Sequence, residues 1–350
     1  MDLNNKTMIE EKLEIVLITY NRYKDLDNTL KQFLESPFSK CMITVLDNCS
    51  DDKTPEICAK YKNLFPNMKI VRHLKNIGGN TNILRAVETS SSLYTWVICD
   101  DDSYDFSDCL DIIEAINSEK FDLISPGSPG EQEWERGLLT SVKKLVEKGS
   151  YYFVARSFVP GIIFKTELFD SISLMEGYTN IHNLLPHFPF AIKSLEDDFS
   201  IYLSKKNIIE AGNHNITSFS GIYFIAGWIN SCSLIKDKKI FKNTVYTPMS
   251  GSKLLRRIFI SITFEKISGD VELSKNILTL IFAIMSSFGL RIDVLIVLVI
   301  LPISIMPRFV FKLFLKTYIY LKYSVKGEKM PSEWNYLLSE YKTVDPLRKF

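Results

Sequence analysis

The stretch TWVICDDD (residues 95–102) decides both the fold and the place of the chemistry. Its apolar half has the length and composition of a buried strand. The three carboxylates that follow repel one another unless a cation or solvent intervenes, and such oxygen ligands suit Mg²⁺ or Mn²⁺. Because strand side chains alternate in direction, Asp100 and Asp102 are expected to share a face and bind the metal. The alternative is a helix start at which an aspartate caps the amides of residues 103–106.

Further apolar runs on both sides of this stretch also have the character of buried strands, with helical periodicity between them. Strand–helix alternation at this spacing indicates right-handed βαβ units and an α/β, Rossmann-like fold with a mostly parallel sheet. The pattern loosens between about 150 and 235, where it predicts a strand at 159–164 and a helix near 197–206. The predicted strands are EIVLIT (14–19), MITVLD (42–47), KIVRHL (69–74), TWVICD (95–100) and FDLIS (121–125), and the predicted helices cover 24–35, 54–64, 80–90 and 108–118.

Polar residues follow each of the first four predicted strands. Ligands of an open parallel sheet bind beyond the carboxyl ends of its strands, so these segments are expected to form one site. Any one of them alone is compatible with an ordinary polar loop, whereas four that converge on one sheet edge indicate function. The segments are Thr19–Arg22, Asp47–Asp52, Asn76–Asn80 and Asp100–Asp102.

Composition and motifs exclude several classes of protein. With 46% hydrophobic and 24% charged residues, the 350-residue chain is neither disordered nor a small disulfide scaffold. A net charge of +1 argues against wholesale nucleic-acid binding. The sequence lacks G-x-x-x-x-G-K-[ST], which excludes a P-loop NTPase, and no G-x-G-x-x-G follows the first strand to mark a dinucleotide site. Six cysteines without a C-x-x-C pair, behind a polar amino terminus, indicate a reducing cytoplasm.

In order and spacing, the four segments resemble the successive landmarks of family 2 glycosyltransferases with the GT-A fold. The resemblance covers roughly residues 12–220 and rests on TYNR (19–22), VLDNCSDD (45–52), NIGG (76–79) and DDD (100–102). It implies an enzyme that transfers a sugar from a nucleotide-sugar donor to an acceptor hydroxyl, usually with inversion at the anomeric carbon. The setting that it implies is the assembly of bacterial surface polysaccharides.

The resemblance also implies roles for single residues around the donor nucleotide. Thr19, with Tyr20, Asn21 and Arg22, would border the base and ribose. Asp47 would accept the N3–H of uracil or thymine. Cytosine presents an acceptor at that position, so the contact favours UDP- or dTDP-sugars, although guanine also offers a ring N–H.

Two further segments complete the implied donor site. Asn76 and Gly79 belong to a turn whose glycines would let the backbone approach the nucleotide closely. Asp100 and Asp102 would hold a Mg²⁺ or Mn²⁺ ion that bridges the diphosphate, with Asp101 beside them at the nucleotide. Such an ion neutralises charge on the departing diphosphate.

A second acidic cluster, LEDDF (195–199), is expected to open the helix predicted near 197–206. It resembles the family's E-D motif, whose aspartate acts as general base on the acceptor hydroxyl. The resemblance assigns this role to Asp197, with Glu196 as the alternative because one residue of the family pattern is missing before Phe199. The competing interpretation is a helix start whose acids favour the helix dipole.

His214 is a third candidate metal ligand. It follows the acidic cluster at an interval at which some relatives supply a metal-ligating histidine. Its imidazole would complete the shell of Asp100 and Asp102 around Mn²⁺. A lone loop histidine is more often structural or solvated, so this reading stays open.

The mean hydropathy of +0.04 is slightly high for a soluble enzyme, and the excess lies near the carboxyl terminus. Apolar runs at 277–290 and 294–306 are each shorter than the ~20 residues that span a bilayer, and lysine and arginine follow them among aromatics. We therefore predict a GT-A domain over 1–245 and a helical, membrane-associating region over 246–350, peripheral on the inner face of the cell membrane. A packed soluble subdomain and a true membrane span are the alternatives.

The sequence as a whole predicts an inverting, metal-dependent glycosyltransferase with a glycan or lipid-linked saccharide as acceptor and no nucleic-acid partner. A nucleotidyltransferase that makes a sugar nucleotide is one alternative, and it usually carries a Gly-rich basic loop that TYNR (19–22) does not resemble. The other alternative is a noncatalytic membrane-associated scaffold of the same fold, which has no need of intact acidic clusters.

Overall fold

Contacts between residues divide the chain into two units. One comprises residues 1–216 and 231–248, and the other comprises residues 217–230 and 249–350. Both β-sheets lie in the first unit. The structure, a computed structural model, describes residues 9–128, 131, 133–183, 185–212, 221–241 and 244, and also 262, 278–283, 302, 306–307, 310, 313 and 317.

Strands form where runs of β-branched and aromatic residues recur between polar turns. The run LEIVLIT is buried along nearly its whole length, as expected of a strand that is covered on both faces of a parallel sheet. Such a run belongs at the centre of a sheet. In the described residues the strands are β1 (Leu13–Thr19), β2 (Met42–Asp47), β3 (Met68–Arg72), β4 (Tyr94–Cys99), β5 (Ser103–Tyr104), β6 (Leu123–Ser125), β7 (Leu139–Ser141), β8 (Ile163–Lys165), β9 (Ser200–Leu203) and β10 (Ile209–Glu210).

The central sheet has eight strands in the order β3-β2-β1-β4-β8-β6-β9-β7, and β10 pairs with β5 in a second sheet. Strands β1 to β4 are parallel to one another. Strand β8 is antiparallel to both of its neighbours, β4 and β6, so β6 runs in the same direction as β4. Strand β9 is parallel to β6 and shares that direction. The mostly parallel α/β sheet expected from the sequence is thereby confirmed.

Helices connect most of the strands, and the first crossover helix buries one apolar stripe. In the first crossover helix, Leu26, Leu30 and Phe33 are buried at the spacing of one helix face. The helices are α1 (Ile9–Lys12), α2 (Tyr23–Leu34), α3 (Thr54–Lys62), α4 (Gly79–Thr89), α5 (Leu110–Ser118), α6 (Val142–Glu147), α7 (Tyr152–Arg156), α8 (Ser171–Thr179), α9 (Phe188–Glu196) and α10 (Gly221–Cys232).

Aromatic side chains anchor the strand that leads to the triple aspartate. Trp96 of β4 is fully buried, and its ring packs edge-on against Phe33 and Phe38, each at a centroid distance of 5.8 Å. Edge-to-face pairs contribute about 0.5–1.5 kcal/mol beyond the burial of their area. The indole Nε1 donates a hydrogen bond of 2.8 Å to the carbonyl of Pro160. These contacts fix the end of β4 relative to the loop before β8.

The sequence predictions hold for the first part of the chain and fail in part later. The strands and helices predicted up to residue 125 occur within two residues of their expected bounds. The strand predicted at 159–164 forms only as β8, because Val159–Gly161 is a 3₁₀ turn. The helix predicted near 197–206 is wrong, because α9 already ends at Glu196 and Ser200–Leu203 forms β9. This strand pairs with β6 and β7 on either side, and its side chains alternate between a buried and a less buried face of the sheet. Pairing between distant segments overrides the local periodicity here.

The predicted membrane-associating region lies almost wholly outside the described residues. Of the apolar run at 277–290 the structure describes 278–283, which are helical. Across the described ranges, no helix combines the length and the apolar character needed to cross a bilayer. The division at 245/246 and the membrane contact therefore stay predictions.

Candidate active site

The pairing register sets the ends of the parallel strands side by side at what we call the carboxyl edge of the central sheet. Thr19, the last residue of β1, pairs with Asp47 at the end of β2, which pairs with Arg72 at the end of β3. Strand β4 ends at the same level on the other side of β1, so Asp100 follows beside Thr19. The fold thus places acidic and basic side chains from distant segments in one row.

Asp47 is buried at one end of this row, beside the exposed side chain of Arg72. Its Oδ1 accepts a hydrogen bond of 2.9 Å from the backbone N–H of Ser50. Its Oδ2 lies 3.2 Å from Nη1 of Arg72, whose Nη2 donates a hydrogen bond of 2.6 Å to the carbonyl of Ser50. Carboxylate oxygens can each accept more than one hydrogen bond, so Asp47 keeps capacity for an N–H of a ligand. Sequence reasoning missed Arg72, whose only signal is its place at the end of β3.

The loops that follow β1 and β2 are tied to each other. Asn21 adopts φ 53°, a left-handed conformation that asparagine tolerates better than most residues. Its backbone N–H donates to Oγ of Ser50 at 2.9 Å, and its side-chain Oδ1 accepts from the N–H of Asp51 at 2.8 Å. The ring of Tyr20, 41% exposed, stays available to a flat ligand at this edge.

The turn after β3 is held by two asparagines and leaves open space beside it. Asn48 donates from Nδ2 to Oδ1 of Asn76 at 2.9 Å and accepts at Oδ1 from the N–H of Ile77 at 3.0 Å. Gly78 has φ 84°, which glycine adopts without strain. A Cβ built on Gly78 or Gly79 would meet no atom within 4 Å. The turn therefore has the room that the close approach of a ligand requires.

Asp100 is a buried carboxylate whose negative charge is only partly offset by its neighbours. Its Oδ1 lies 3.1 Å from Nη1 of Arg22, and the same nitrogen lies 2.8 Å from Oδ2 of Asp101. Its Oδ2 has no hydrogen-bond partner in the described part of the chain. Burial raises the pKa of Asp100 to about 7, against the opposite effect of the Arg22 guanidinium. A further cation at this point would stabilise the charged form.

Asp102 is also a buried carboxylate with one unpaired oxygen among the described residues, and Cys99 and Asp101 lie close to it. Its Oδ1 accepts from the N–H of Gly212 at 3.0 Å, its Oδ2 has no partner among the described residues, and burial raises its pKa to about 7. The Sγ of Cys99 and one carboxylate oxygen each of Asp101 and Asp102 lie within 4.8 Å of one another. The sequence instead paired Asp100 with Asp102. Strand alternation does not extend that far, since β4 ends at Cys99 and a turn begins at Asp100.

Glu196 and Asp197 lie toward the edge of the sheet opposite the carboxyl edge. This position differs from the place beside the donor site that a catalytic base requires. Through β6 and β8, Ile201 of β9 is level with Thr95 of β4. Asp100 lies beyond Thr95 toward the carboxyl edge by roughly 16 Å, at about 3.3 Å per residue. Glu196 and Asp197 precede β9 and lie on the opposite side of that level. The structure does not bring this acidic cluster to the metal motif, so neither residue is placed to act as the base there.

The contacts of the cluster also exclude a dipole-favouring helix start. Glu196 is the last residue of α9 and Asp197 caps its carboxyl end, where negative charge opposes the helix dipole. Lysines offset this charge, because Lys193 pairs with Asp197, and Nζ of Lys236 lies 3.3 Å from Oε1 of Glu196. Both carboxylates are 47% exposed. They are surface groups in ion pairs.

A buried charged cluster at the carboxyl edge has no motif that would have signalled it. Nη2 of Arg156 lies 2.5 Å from Oε1 of Glu131, with both side chains 3% exposed. Arg156 also donates to the carbonyl of Gly161 at 2.6 Å and to Oγ of Ser125, at the end of β6, at 3.1 Å. Nε2 of His187 lies 2.9 Å from the carbonyl of Arg156, and burial lowers the pKa of this histidine to about 4. These contacts connect the loop after β6 to the loop before β8.

Most of the residues predicted for nucleotide and metal binding meet at the carboxyl edge, while the predicted bases do not. His214 lies outside the described residues, so its role as a metal ligand stays a prediction. The residues that meet at the carboxyl edge are Thr19, Tyr20, Asn21, Arg22, Asp47, Asn76, Gly79, Asp100, Asp101 and Asp102.

Comparison with known proteins gives a family match and similar structures. Residues 14–159 match the sequence profile of Glycosyl transferase family 2. No curated protein gives a significant sequence match. Residues 1–349 of S. aureus TarS in complex with UDP-GlcNAc align with a TM-score of 0.55 and 18% identity, over 79% of this chain and 81% of that one. The mannosyltransferase PcManGT from Pyrobaculum calidifontis, in complex with GDP-Man and Mn²⁺, aligns with a TM-score of 0.50 and 13% identity, over 89% and 84%.

These structural likenesses, at 13–18% identity, bear on the fold alone. They agree with the α/β GT-A fold that the sequence resemblance implied, and this expectation is confirmed. The residues matched by the family profile include β1 to β4 and therefore the whole row of strand ends from Thr19 to Asp100. The acidic cluster at 195–199 lies outside the matched range.

Proposed function

Because residues 14–159 match the model of Glycosyl transferase family 2, we propose that the chain transfers a sugar from a nucleotide-diphosphate donor to an acceptor hydroxyl in a metal-dependent, inverting reaction. The favoured donor is a UDP- or dTDP-sugar. The observation that carries the proposal is the row of buried polar side chains at the carboxyl edge, with the Asp47–Arg72 pair at one end and the triple aspartate at the other. Ligands of parallel sheets bind at this edge.

The triple aspartate fits Mg²⁺ or Mn²⁺ as the cofactor. Asp100 and Asp102 each keep a buried carboxylate oxygen that has no hydrogen-bond partner within the described ranges. A buried acceptor left unpaired is costly, and these hard cations take oxygen ligands. Asp100 and Asp102, with Asp101 beside them, would hold the ion. When bound, it supplies the positive charge that stabilises the departing diphosphate.

The surroundings of Asp47 favour a uracil or thymine base in the proposed donor. Both bases present an N3–H between two carbonyl oxygens. Asp47 offers an acceptor for the N–H, and Arg72 stands beside it as a donor at 3.2 Å. Cytosine would set its N3 acceptor against the carboxylate and leave a buried polar group unpaired. TarS, which has a similar fold, has been solved with UDP and with UDP-GlcNAc, and this supports the same nucleotide class.

The loops between the two ends of the row would hold the rest of the donor. Thr19, Tyr20 and Asn21 would border the ribose and base. Arg22 lies between this loop and the aspartates, where its remaining N–H donors suit the diphosphate. Helix α4 begins at Gly79, and the free N–H groups of a helix start favour an anionic ligand.

In the proposed transfer, the acceptor oxygen attacks the anomeric carbon as the bond from that carbon to the diphosphate breaks. A single displacement of this kind inverts the configuration. The hydroxyl proton passes to a base on the acceptor side of the sugar. Glu196 and Asp197 are not proposed for that role, because they precede β9 at the opposite edge.

The acceptor is proposed to be a hydroxyl of a glycan or lipid-linked saccharide in cell-surface polysaccharide synthesis. A lipid-linked acceptor would share a surface with a region that is rich in apolar residues, lysine and arginine. The composition of residues 246–350 supports such a membrane-associating region at the inner face of the cell membrane. Residues 1–245 would then form the catalytic domain.

A nucleotide-release screen tests the proposal. The full chain is incubated with UDP-, dTDP-, GDP- and CMP-sugars, each with Mn²⁺, with Mg²⁺ or with EDTA, and free nucleotide is measured. We expect release from a UDP- or dTDP-sugar that depends on the metal and is lost in Asp102→Asn. Equal release in EDTA would refute metal dependence. Release from GDP-sugars alone would refute the assignment of the base, and no release from any donor would favour the noncatalytic scaffold.

A further inference from the structure

Cys99 stands inside the cation site at the carboxyl edge, although the sequence offered no reason to place it there. It is the last residue of β4 and is half-buried. Its Sγ lies within 4.8 Å of a carboxylate oxygen of Asp101 and of Asp102. The fold fixes this proximity, because one side chain ends the strand and the other two follow in the turn.

The spacing of these three atoms is close to that of ligands around a single ion. Zn²⁺ holds sulfur at about 2.3 Å and carboxylate oxygen at about 2.0–2.2 Å, so two ligands of one ion lie at most roughly 4.5 Å apart. The three atoms, which lie within 4.8 Å of one another, must approach one another further to surround one ion.

A second observation points to a ligand at this place. Asp102 is 7% exposed, and its Oδ2 has no hydrogen-bond partner in the part of the chain that the structure describes. Its other oxygen is held by the N–H of Gly212 at 3.0 Å, which fixes the carboxylate. A buried, oriented acceptor without a partner is a costly arrangement unless a cation completes it.

The sulfur changes which cation suits the group. Mg²⁺ takes oxygen ligands, and Mn²⁺ is likewise suited by carboxylate, carbonyl and water. Thiolate is a soft ligand that selects Zn²⁺ and similar ions. Asp102 therefore belongs to two candidate ligand sets, one of oxygen alone with Asp100, and one with Asp101 and the sulfur of Cys99.

We propose that Cys99, Asp101 and Asp102 bind a thiophilic divalent cation such as Zn²⁺ or Cd²⁺, and that this ion excludes Mg²⁺ and Mn²⁺ from the shared ligand Asp102. On binding, the S–H proton leaves to solvent and a metal–sulfur bond forms. Zn²⁺ then inhibits transfer and competes with Mn²⁺. The inhibition rests on the proposed function, whereas the binding of the cation does not.

Titration of the nucleotide-free full chain with Cd²⁺ tests the proposal, with the ultraviolet charge-transfer absorption of the cadmium–thiolate bond as the readout. Wild type should develop the band with one equivalent of Cd²⁺. Cys99→Ser should lose the band. Asp102→Asn should keep the sulfur band but need a higher Cd²⁺ concentration to reach it. Cd²⁺ affinity measured by calorimetry should be lower in Cys99→Ser than in wild type, and excess Mg²⁺ should reduce it further.

Cys49→Ser is the matched control. Cys49 is the other half-buried thiol, and Cys41, Cys58, Cys109 and Cys232 are buried. The band should survive in Cys49→Ser. A band that persists in Cys99→Ser, or no band in the wild type, would overturn the proposal. UDP binding with Mn²⁺, measured in parallel, reports on the proposed function separately, because its loss leaves the Cd²⁺ result intact.

Discussion

The carboxyl edge of the central sheet and the amino edge, where β1 to β4 begin, both carry clusters of acidic residues, but in opposite environments. At the carboxyl edge, Asp100 and Asp102 are 3% and 7% exposed, and each keeps an oxygen without a partner within the described residues. At the amino edge, Glu196 and Asp197 are 47% exposed and paired with lysines. The sequence presents the two clusters alike, as short runs of acids near an apolar strand.

The difference favours the carboxyl edge as the place where a ligand is proposed to bind. Exposed ion pairs contribute little, about 0–1 kcal/mol, and a cluster of this kind is explained by its lysines alone. Buried carboxylates that lack partners are costly, and a chain tolerates them where a cation or substrate completes them. Burial and ion pairing therefore favour the carboxyl edge, and not the amino edge, as the place of the proposed chemistry.

The largest effect is expected from Asp102→Asn at the carboxyl edge. The substitution removes a buried anionic ligand but keeps the oxygen that accepts from Gly212 at 3.0 Å. We expect metal-dependent nucleotide release to fall on the order of 10²–10³-fold, the scale of losing one electrostatic stabiliser. The measurement is the release rate at saturating Mn²⁺. A rate within a few-fold of wild type would show that Asp102 holds no metal.

The buried ion pair at the same edge should give the largest loss of stability. Glu131→Gln leaves the Arg156 guanidinium, 3% exposed, without its carboxylate at 2.5 Å. Breaking one partner of a buried pair costs about 3–5 kcal/mol. Urea denaturation measures the free energy of unfolding, and Lys236→Gln is the control because it breaks an exposed pair at 3.3 Å. Equal losses of unfolding free energy in the two variants would contradict the expected difference between a buried and an exposed ion pair.

A smaller effect concerns the dependence of stability on pH. Burial raises the pKa of Asp102 from the ordinary 3.8 to about 7. Between about pH 4 and 7 the folded state therefore binds more protons than the unfolded state, and without metal the protein loses stability as pH rises through this window. Asp102→Asn carries no charge and should melt above the wild type at pH 8 in EDTA, by about 2–4 °C for each kcal/mol gained. The difference should shrink toward pH 4. Parallel curves for the two proteins would refute the shift.

The smallest effect is expected from Asp197→Asn at the amino edge. The substitution breaks an exposed i,i+4 pair with Lys193 and touches nothing at the carboxyl edge. We expect nucleotide release, and transfer once an acceptor is known, to stay within about two-fold of wild type, because such pairs contribute only about 0.3–0.5 kcal/mol. Abolished transfer with intact donor binding would restore Asp197 as the base.

The parallel half of the fold was predictable because its signals are local. Each strand from β1 to β4 is a short apolar run, and each ends in polar residues that the parallel order brings to one edge. The positions of Thr19, Asp47 and Asp100 follow from that rule alone. Their burial and hydrogen bonds do not, since these depend on the loops that close over them.

The later part of the site depends on pairings between distant segments. The sequence around Asp197 suits a helix start, and only the pairing of β9 with β6 shows that it lies at the amino edge. Arg156 and Glu131 form their pair across 25 residues without a motif. Cys99 lies beside Asp101 and Asp102 because β4 ends there, a boundary that periodicity fixes only to within a residue or two.

Calorimetric titration of UDP into the wild-type chain, in Mn²⁺ and in EDTA, tests the central claim most directly. The claim is that the carboxyl edge binds a uridine diphosphate through Asp47 and a metal held by the triple aspartate. We expect saturable UDP binding by the wild type in Mn²⁺. This binding should be lost in EDTA and in Asp102→Asn, and should persist in Asp197→Asn. Binding that is equal in Mn²⁺ and EDTA, or no UDP binding in either, would contradict the claim.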